Sequence, residues 1–148
     1  MKKPTQKPSI LVLDDELAQR KILSMILEDT GYEVTPTGSP AEALQMLETS
    51  NFDLVLSDLV MPDMDGLQFL ESARRLRPEL VVVVVTGHGT IPSAVEAVKK
   101  GAFQYLTKPA GKDELLLVVQ RGLDQARLIE ENRLLQSQLK QHYSFSFR

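Results

Sequence analysis

Four short segments carry most of the side chains that could do chemistry, and each follows a run of aliphatic residues: Asp14-Asp15, Ser57-Asp58, Thr86-Gly87 and Thr107-Lys108-Pro109. Carboxylates drawn to within about 4 Å of one another repel by roughly 4 kcal/mol per pair at an effective dielectric near 20, so a cluster of three calls for a cation or a proton. The chain has no Cys and only two His, His88 and His142, far apart in sequence. That removes thiolate chemistry, disulfides, zinc clusters and any local His-metal motif. A metal must therefore be held by oxygen, and a small oxygen-only cluster with room for waters favours Mg²⁺, with Mn²⁺ a substitute and Ca²⁺ a poorer fit. Lys108 would add a fixed positive charge. A single Asp after a strand is commonly a turn former or a helix cap, and Asp14 could cap the first helix in that way. An acidic pair, a third acid, a hydroxyl and an ammonium arriving at one edge are harder to assign to caps alone.

Whether they do arrive at one edge depends on the elements between them. Residues 10–13, 54–56 and 80–85 are continuously apolar rather than alternating, the pattern of strands buried on both faces of a parallel sheet. Residues 34–35 and 103–106 are further strand candidates. Ser39-Pro40-Ala41-Glu42 reads as a capping box with Pro at the first helical position and predicts a helix over 40–49. A helix over 17–30 ends at Gly31, and one over 66–77 ends ahead of Pro78. Ile91, Ala94, Val95 and Val98 recur at helical spacing before Lys99-Lys100-Gly101, a helix with a stop. Five strand-then-helix units imply an α/β fold, a doubly wound parallel sheet with helices on both faces and right-handed crossovers. Ligands of such sheets bind beyond the carboxyl ends of the strands, where the four chemical segments fall.

With 148 residues, 43% hydrophobic and 25% charged, the chain has the size and proportions of one globular domain rather than a disordered or fibrous segment. A net charge of −3 provides no basic footprint for phosphates, so direct nucleic-acid binding is not expected of it. Met1-Lys2-Lys3-Pro4 leads to a short apolar run and then Asp14, unlike a signal peptide. The longest apolar stretch, 80–85, falls far below the roughly 20 residues that cross a bilayer. A soluble, cytoplasmic protein is expected.

The motifs Leu11-Val12-Leu13-Asp14-Asp15-Glu16, Asp58-Leu59-Val60-Met61-Pro62-Asp63-Met64-Asp65-Gly66, Thr86-Gly87-His88-Gly89 and Gly101-Ala102-Phe103-Gln104-Tyr105-Leu106-Thr107-Lys108-Pro109 stand in order along the chain. On these motifs residues 9–126 resemble the receiver domain of two-component response regulators. The resemblance implies a flavodoxin-like, five-stranded parallel sheet of order 2-1-3-4-5. It implies that Asp58 is the phosphoacceptor for a sensor histidine kinase, and that Asp14 and Asp15 hold Mg²⁺ with it. The carbonyl of Val60 would complete the protein's share of the metal shell. Lys108 would contact the phosphate, Thr86 and Tyr105 would form a switch pair, and Lys108-Pro109 would be cis. The chain departs from the family in carrying Ala110-Gly111 where a larger apolar residue usually follows Lys-Pro.

Other motifs fail. Asp63-Met64-Asp65-Gly66 would put Met61 and Ser72 at the first and last ligand positions of a calcium loop. Gly87-His88-Gly89 has Pro92 where a dinucleotide turn needs its third glycine, and no Walker motif occurs. The alternative function, a Mg²⁺-dependent aspartyl-phosphate phosphatase or phosphotransferase of the haloacid dehalogenase type, needs a second Asp two residues after the nucleophile, and Val60 stands there. A flavodoxin-like binding module would need a phosphate-cradling loop where Asp14-Asp15-Glu16 would repel the ligand.

Between Asp113 and His142 there is no Pro and a single Gly, Gly122, which predicts one last helix over 113–142, roughly 45 Å long at about 1.5 Å per residue. Its overhang carries Leu128, Asn132, Leu135 and Leu139 at d, a, d, a spacing, and a lone Asn at an a position favours a two-stranded coiled coil in fixed register. Homodimerisation is expected through this helix and through the face of the fourth helix and fifth strand. Glu131-Asn132-Arg133-Leu134-Leu135 resembles the linker of nitrogen-regulatory, sigma-54-dependent transcription activators, where an AAA+ ATPase output domain follows. The expected organisation is a flexible tail over 1–8, the receiver domain over 9–126, a helical linker over 127–142 and, over 143–148, the opening of an output domain. Such a chain is a signalling switch that catalyses only its own phosphotransfer and dephosphorylation.

Overall fold

The computed structural model describes residues 7–59, 61, 64–87 and 91–146. Strands β1 (Ser9–Leu13), β2 (Glu33–Thr37), β3 (Leu54–Ser57), β4 (Val82–Thr86) and β5 (Gln104–Thr107) alternate with helices α1 (Leu17–Thr30), α2 (Pro40–Thr49), α3 (Gly66–Leu76), α4 (Ile91–Lys99) and α5 (Lys112–Ser146). The strands form one parallel sheet in the order β2-β1-β3-β4-β5. The doubly wound sheet and its extended last helix are those anticipated from the sequence.

The sheet separates two apolar layers, because successive side chains on a strand point to opposite faces. Leu11, Leu13, Val55, Val82 and Val84 pack with Leu47, Phe69 and Ala97 on the side of α2, α3 and α4. Ile10, Val12, Leu54, Leu56, Val83 and Val85 pack with Leu23, Leu27, Leu115 and Val119 on the side of α1 and α5. The central strands are continuous aliphatic runs for this reason. β2, at the edge, is half exposed and accommodates Pro36, whose missing N–H is tolerated there. Its strand-forming residues, Val34, Thr35 and Thr37, are interrupted by Pro36, which is why sequence patterning finds only 34–35.

Helix ends follow their local chemistry. Ser39 accepts a hydrogen bond from the Glu42 amide at 3.2 Å, and Pro40 opens α2. Gly31 and Gly101 take positive φ at the close of α1 and α4, a conformation that favours glycine. Arg77 closes α3 and also caps α2, donating to the carbonyls of Leu47 at 2.8 Å and Ser50 at 2.8 Å and to Asn51 at 2.6 Å.

Several boundaries shift by a residue or more. β4 begins at Val82 rather than at 80, because the Leu80 amide and carbonyl bond Arg77 and Arg74 instead of a strand. β5 moves one residue on, to end at Thr107, paired with Thr86. α5 continues to Ser146, four residues past the expected end, with no Pro or Gly to stop it. α4 forms where expected but does not bury the stripe from which it was read: Val95 and Val98 are 49% and 56% exposed, and the small Ala97 packs instead. α5 is applied to the sheet through Leu115, Val118, Val119 and Gly122 and is exposed from residue 130 to 140. No described helix is long and apolar enough to cross a membrane. Residues 1–6 of the expected tail lie outside the described residues, and the Pro8 carbonyl accepts the Glu33 amide at 2.9 Å.

Candidate functional site

Parallel pairing aligns the carboxyl ends of β1, β3, β4 and β5. Leu13 is in register with Ser57, and Thr86 with Thr107, so the residues that follow open on one rim. There one carboxylate oxygen from each of Asp14, Asp15 and Asp58 lies within 4.8 Å of the others. Asp14 and Asp58 are 1% and 4% exposed, whereas Asp15 faces solvent.

Each acid is held from the backbone outward. The Asp14 amide donates to the Thr37 carbonyl at 3.1 Å, and the Asp58 amide to the Leu13 carbonyl at 3.0 Å, which ties the first and third strand ends together. Asp14 Oδ1 accepts the Glu16 amide at 3.0 Å in the turn ahead of α1, whose N-cap is Glu16 with no side-chain capping bond, so Asp14 does not cap the helix and its other oxygen faces the site. Asp58 Oδ1 accepts the Leu59 amide at 2.6 Å. Behind Asp58, Gly66 begins α3 with its amide 2.7 Å from the Leu59 carbonyl. A Cβ at 66 would stand 2.5 Å from the Leu59 Cα and 2.6 Å from the Asp58 carbonyl oxygen, so the loop closes this tightly only around glycine. Asp65 caps the helix, accepting the Leu67 amide at 3.0 Å.

Lys108 reaches in from the end of β5, its amide bonded to the Thr86 carbonyl at 2.9 Å. Its Nζ donates to Asp14 Oδ2 at 2.6 Å and to Asp58 Oδ2 at 3.1 Å. The Lys108-Pro109 bond is cis, as the resemblance implied. Burial works against the ammonium, but the hydrogen bonds and charges of Asp14 and Asp58 outweigh it and hold the Lys108 pKa above the ordinary lysine value. Three carboxylates and one ammonium leave two formal negative charges together. An all-oxygen donor set with one member open to solvent suits a hard divalent cation such as Mg²⁺.

Thr86 ends β4, fully buried. Tyr105 lies half-buried on β5, its hydroxyl 3.2 Å from that of Ser93 on α4. Val60, His88 and Gly89 lie outside the described residues. Leu128, Leu135 and Leu139 are 59%, 57% and 55% exposed on α5, with Asn132 exposed among them. They stand apart from the acidic rim, on a stretch whose Arg133 pairs with Glu79.

Sequence reasoning missed the supports. Gly66, which stands in the 58–66 motif with no role assigned to it, and Arg20, whose NH1 donates to the Asp14 carbonyl at 2.7 Å, are supports that the sequence does not mark. Backbone acceptors leave no mark in a sequence. A glycine directly after the helix cap was the one available signal.

Comparison with known proteins agrees with this geometry. The family model for the response regulator receiver domain matches residues 10–120, and the chain belongs to that family. It is similar to the C4-dicarboxylate transport transcriptional regulatory protein DctD of Rhizobium meliloti (strain 1021), 39% identical over 128 residues that cover 86% of this chain and 28% of DctD. Among solved structures it is similar to NtrX from Brucella abortus (TM-score 0.81, 35% identity, 88% of this chain and 30% of that one). It is also similar to the beryllofluoride-activated NtrC4 receiver domain dimer (TM-score 0.77, 36% identity, 80% of this chain and 98% of that one). The chain thus spans under a third of the length of DctD and NtrX. Receiver domains are signalling switches, and DctD, part of which this chain matches, is a transcriptional regulatory protein.

Proposed function

We propose that the chain is a phosphorylation-controlled switch in which Asp58 accepts a phosphoryl group from a sensor histidine kinase. The observation that carries this reading is the rim cluster: Asp14, Asp15 and Asp58 within 4.8 Å, with Lys108 donating to two of them. In the transfer a carboxylate oxygen of Asp58 attacks phosphorus, the P–N bond to the kinase histidine breaks, and its electron pair leaves with the imidazole nitrogen. Asp58 becomes an acyl phosphate. Asp14, Asp15 and Asp58, with the Val60 carbonyl, would hold Mg²⁺, which when bound neutralises crowded oxygens and orients the phosphoryl group.

The chain's own groups do the rest. The Lys108 ammonium turns from the carboxylates to a phosphoryl oxygen, and the Thr86 hydroxyl donates to another. Drawing Thr86 toward the phosphoryl group vacates space for the Tyr105 ring, which carries the event to α4 and β5. Exposed Val95 and Val98 make that face apolar enough to associate, and Leu128, Asn132, Leu135 and Leu139 supply a second seam along α5. The homodimer so controlled would regulate an AAA+ ATPase output domain of a sigma-54-dependent activator in the cytoplasm. The similarity to DctD and NtrX, both far longer than this chain, supports that context. Sizing with and without acetyl phosphate and Mg²⁺ tests the switch. The wild type should change its association state on phosphorylation, and Thr86→Ala should take up phosphoryl yet lose most of the change. A full response in Thr86→Ala contradicts the Thr86 link.

A further inference from the structure

We infer that Arg20 is a positioning residue for the acidic site, and that Gly38 is a glycine so that Arg20 can reach it; the inference rests on the reading of the rim as a Mg²⁺-assisted phosphoacceptor site. Asp14 has four grips. Its amide is held by Thr37, its two carboxylate oxygens by Glu16 and Lys108, and its carbonyl oxygen by the Arg20 guanidinium, which comes from α1 at 2.7 Å. That carbonyl belongs to the peptide plane joining Asp14 to Asp15. A peptide is rigid, so fixing its oxygen fixes where the next Cα stands and where the exposed Asp15 carboxylate starts from. The Glu16 amide belongs to the following peptide and holds the far side of Asp15, and the Arg20 bond holds its near side, so the two together fix the second acid of the pair.

Room for this bond comes from β2's far end. A Cβ at residue 38 would lie 2.5 Å from Arg20 NH1, 3.4 Å from its Cζ and 3.5 Å from the Asp14 carbonyl oxygen. Any side chain there takes the place of the guanidinium. Arg20 also lines a cavity of about 530 Å³ with Leu17, Lys21, Ser24, Thr37 and Glu42, so a displaced guanidinium has somewhere to go and the fold need not suffer. Gly38→Ala therefore breaks the same bond as Arg20→Gln from the opposite side.

The test is Mg²⁺ titration by calorimetry, with melting temperature in EDTA as the control for folding. Partners that hold ligating side chains typically change metal affinity about 10- to 100-fold when lost. Arg20→Gln and Gly38→Ala should each weaken Mg²⁺ about ten-fold while shifting the melting temperature by less than about 4 °C. Because both remove one bond, the double variant should be no weaker than the poorer single one. Arg20→Lys, which can still donate to the carbonyl, should recover most of the affinity. Variants that bind Mg²⁺ like the wild type, additive losses in the double variant, or no recovery in Arg20→Lys would overturn the role of Arg20. A wild-type chain that binds no Mg²⁺ would overturn the reading of the site as well.

Discussion

Lys108 is the residue on which the electrostatics of the rim turn. Its ammonium stands between Asp14 and Asp58, both buried, and its removal leaves two carboxylates facing each other without a counter-charge. Breaking a buried pair by deleting one partner costs about 3–5 kcal/mol, and the partial exposure of Lys108 places this case at the low end. Lys108→Met should therefore lower stability by about 3 kcal/mol in EDTA, read from urea midpoints, and Mg²⁺ should restore part of it. A variant as stable as the wild type in EDTA would show that the acids do not repel. The raised Lys108 pKa also has a sign: its contribution is complete below the ordinary value of 10.5 and is lost only as pH rises through the higher folded value. Stability near neutral pH should owe no slope to it.

At the scale of the elements, the loop from β3 to α3 is the most exacting. The Gly66 position meets backbone atoms of Asp58 and Leu59, which cannot swing aside as a side-chain tip can. Gly66→Ala should cost about 1–3 kcal/mol by overpacking and, if Asp58 is the acceptor proposed above, should also slow phosphoryl uptake, since the shift falls on the Asp58–Leu59 peptide. Unchanged stability and uptake would mean that the loop is looser than its geometry. α3 and α4 are joined by Lys100, which pairs with Glu71 and with Glu96 at 3.5 Å. The hydrogen bond and charge of Lys100 hold the Glu71 carboxyl below its ordinary value of 4.5. A lowered carboxyl pKa contributes stability that is present above the ordinary value and lost as pH falls through the folded one. Glu71→Gln should flatten the decline of melting temperature over about pH 5 to 3, and parallel curves for both proteins would contradict it.

Legibility followed the same physics. The buried strands and the acids that end them could be read because aliphatic runs between punctuated helices leave few ways to place Asp14, Asp58, Thr86 and Lys108. β2 is only half legible because an edge strand needs no apolar run, and the spacing of Ile91, Ala94, Val95 and Val98 marks α4 although Ala97 does its packing. Arg20, Gly38 and Gly66 carry no such signal, because Arg20 bonds a backbone carbonyl and the two glycines are required by the close approach of the Arg20 guanidinium and of the Asp58–Leu59 backbone, which no residue type announces.

For the whole molecule, the proposed seam on the exposed part of α5 would couple the site to assembly. Leu128, Leu135 and Leu139 touch no core, so Leu135→Ser should leave the melting temperature of the dilute domain within about 4 °C of the wild type while weakening self-association. Equal dissociation constants in sedimentation equilibrium would move the interface elsewhere. All of this presupposes that Asp58 carries phosphorus, and intact mass spectrometry after incubation with acetyl phosphate asks that directly. The wild type should gain one phosphoryl group in Mg²⁺ and little in EDTA, and Asp58→Asn should gain none. An equal gain in Asp58→Asn, or none in the wild type with Mg²⁺ present, would contradict the account.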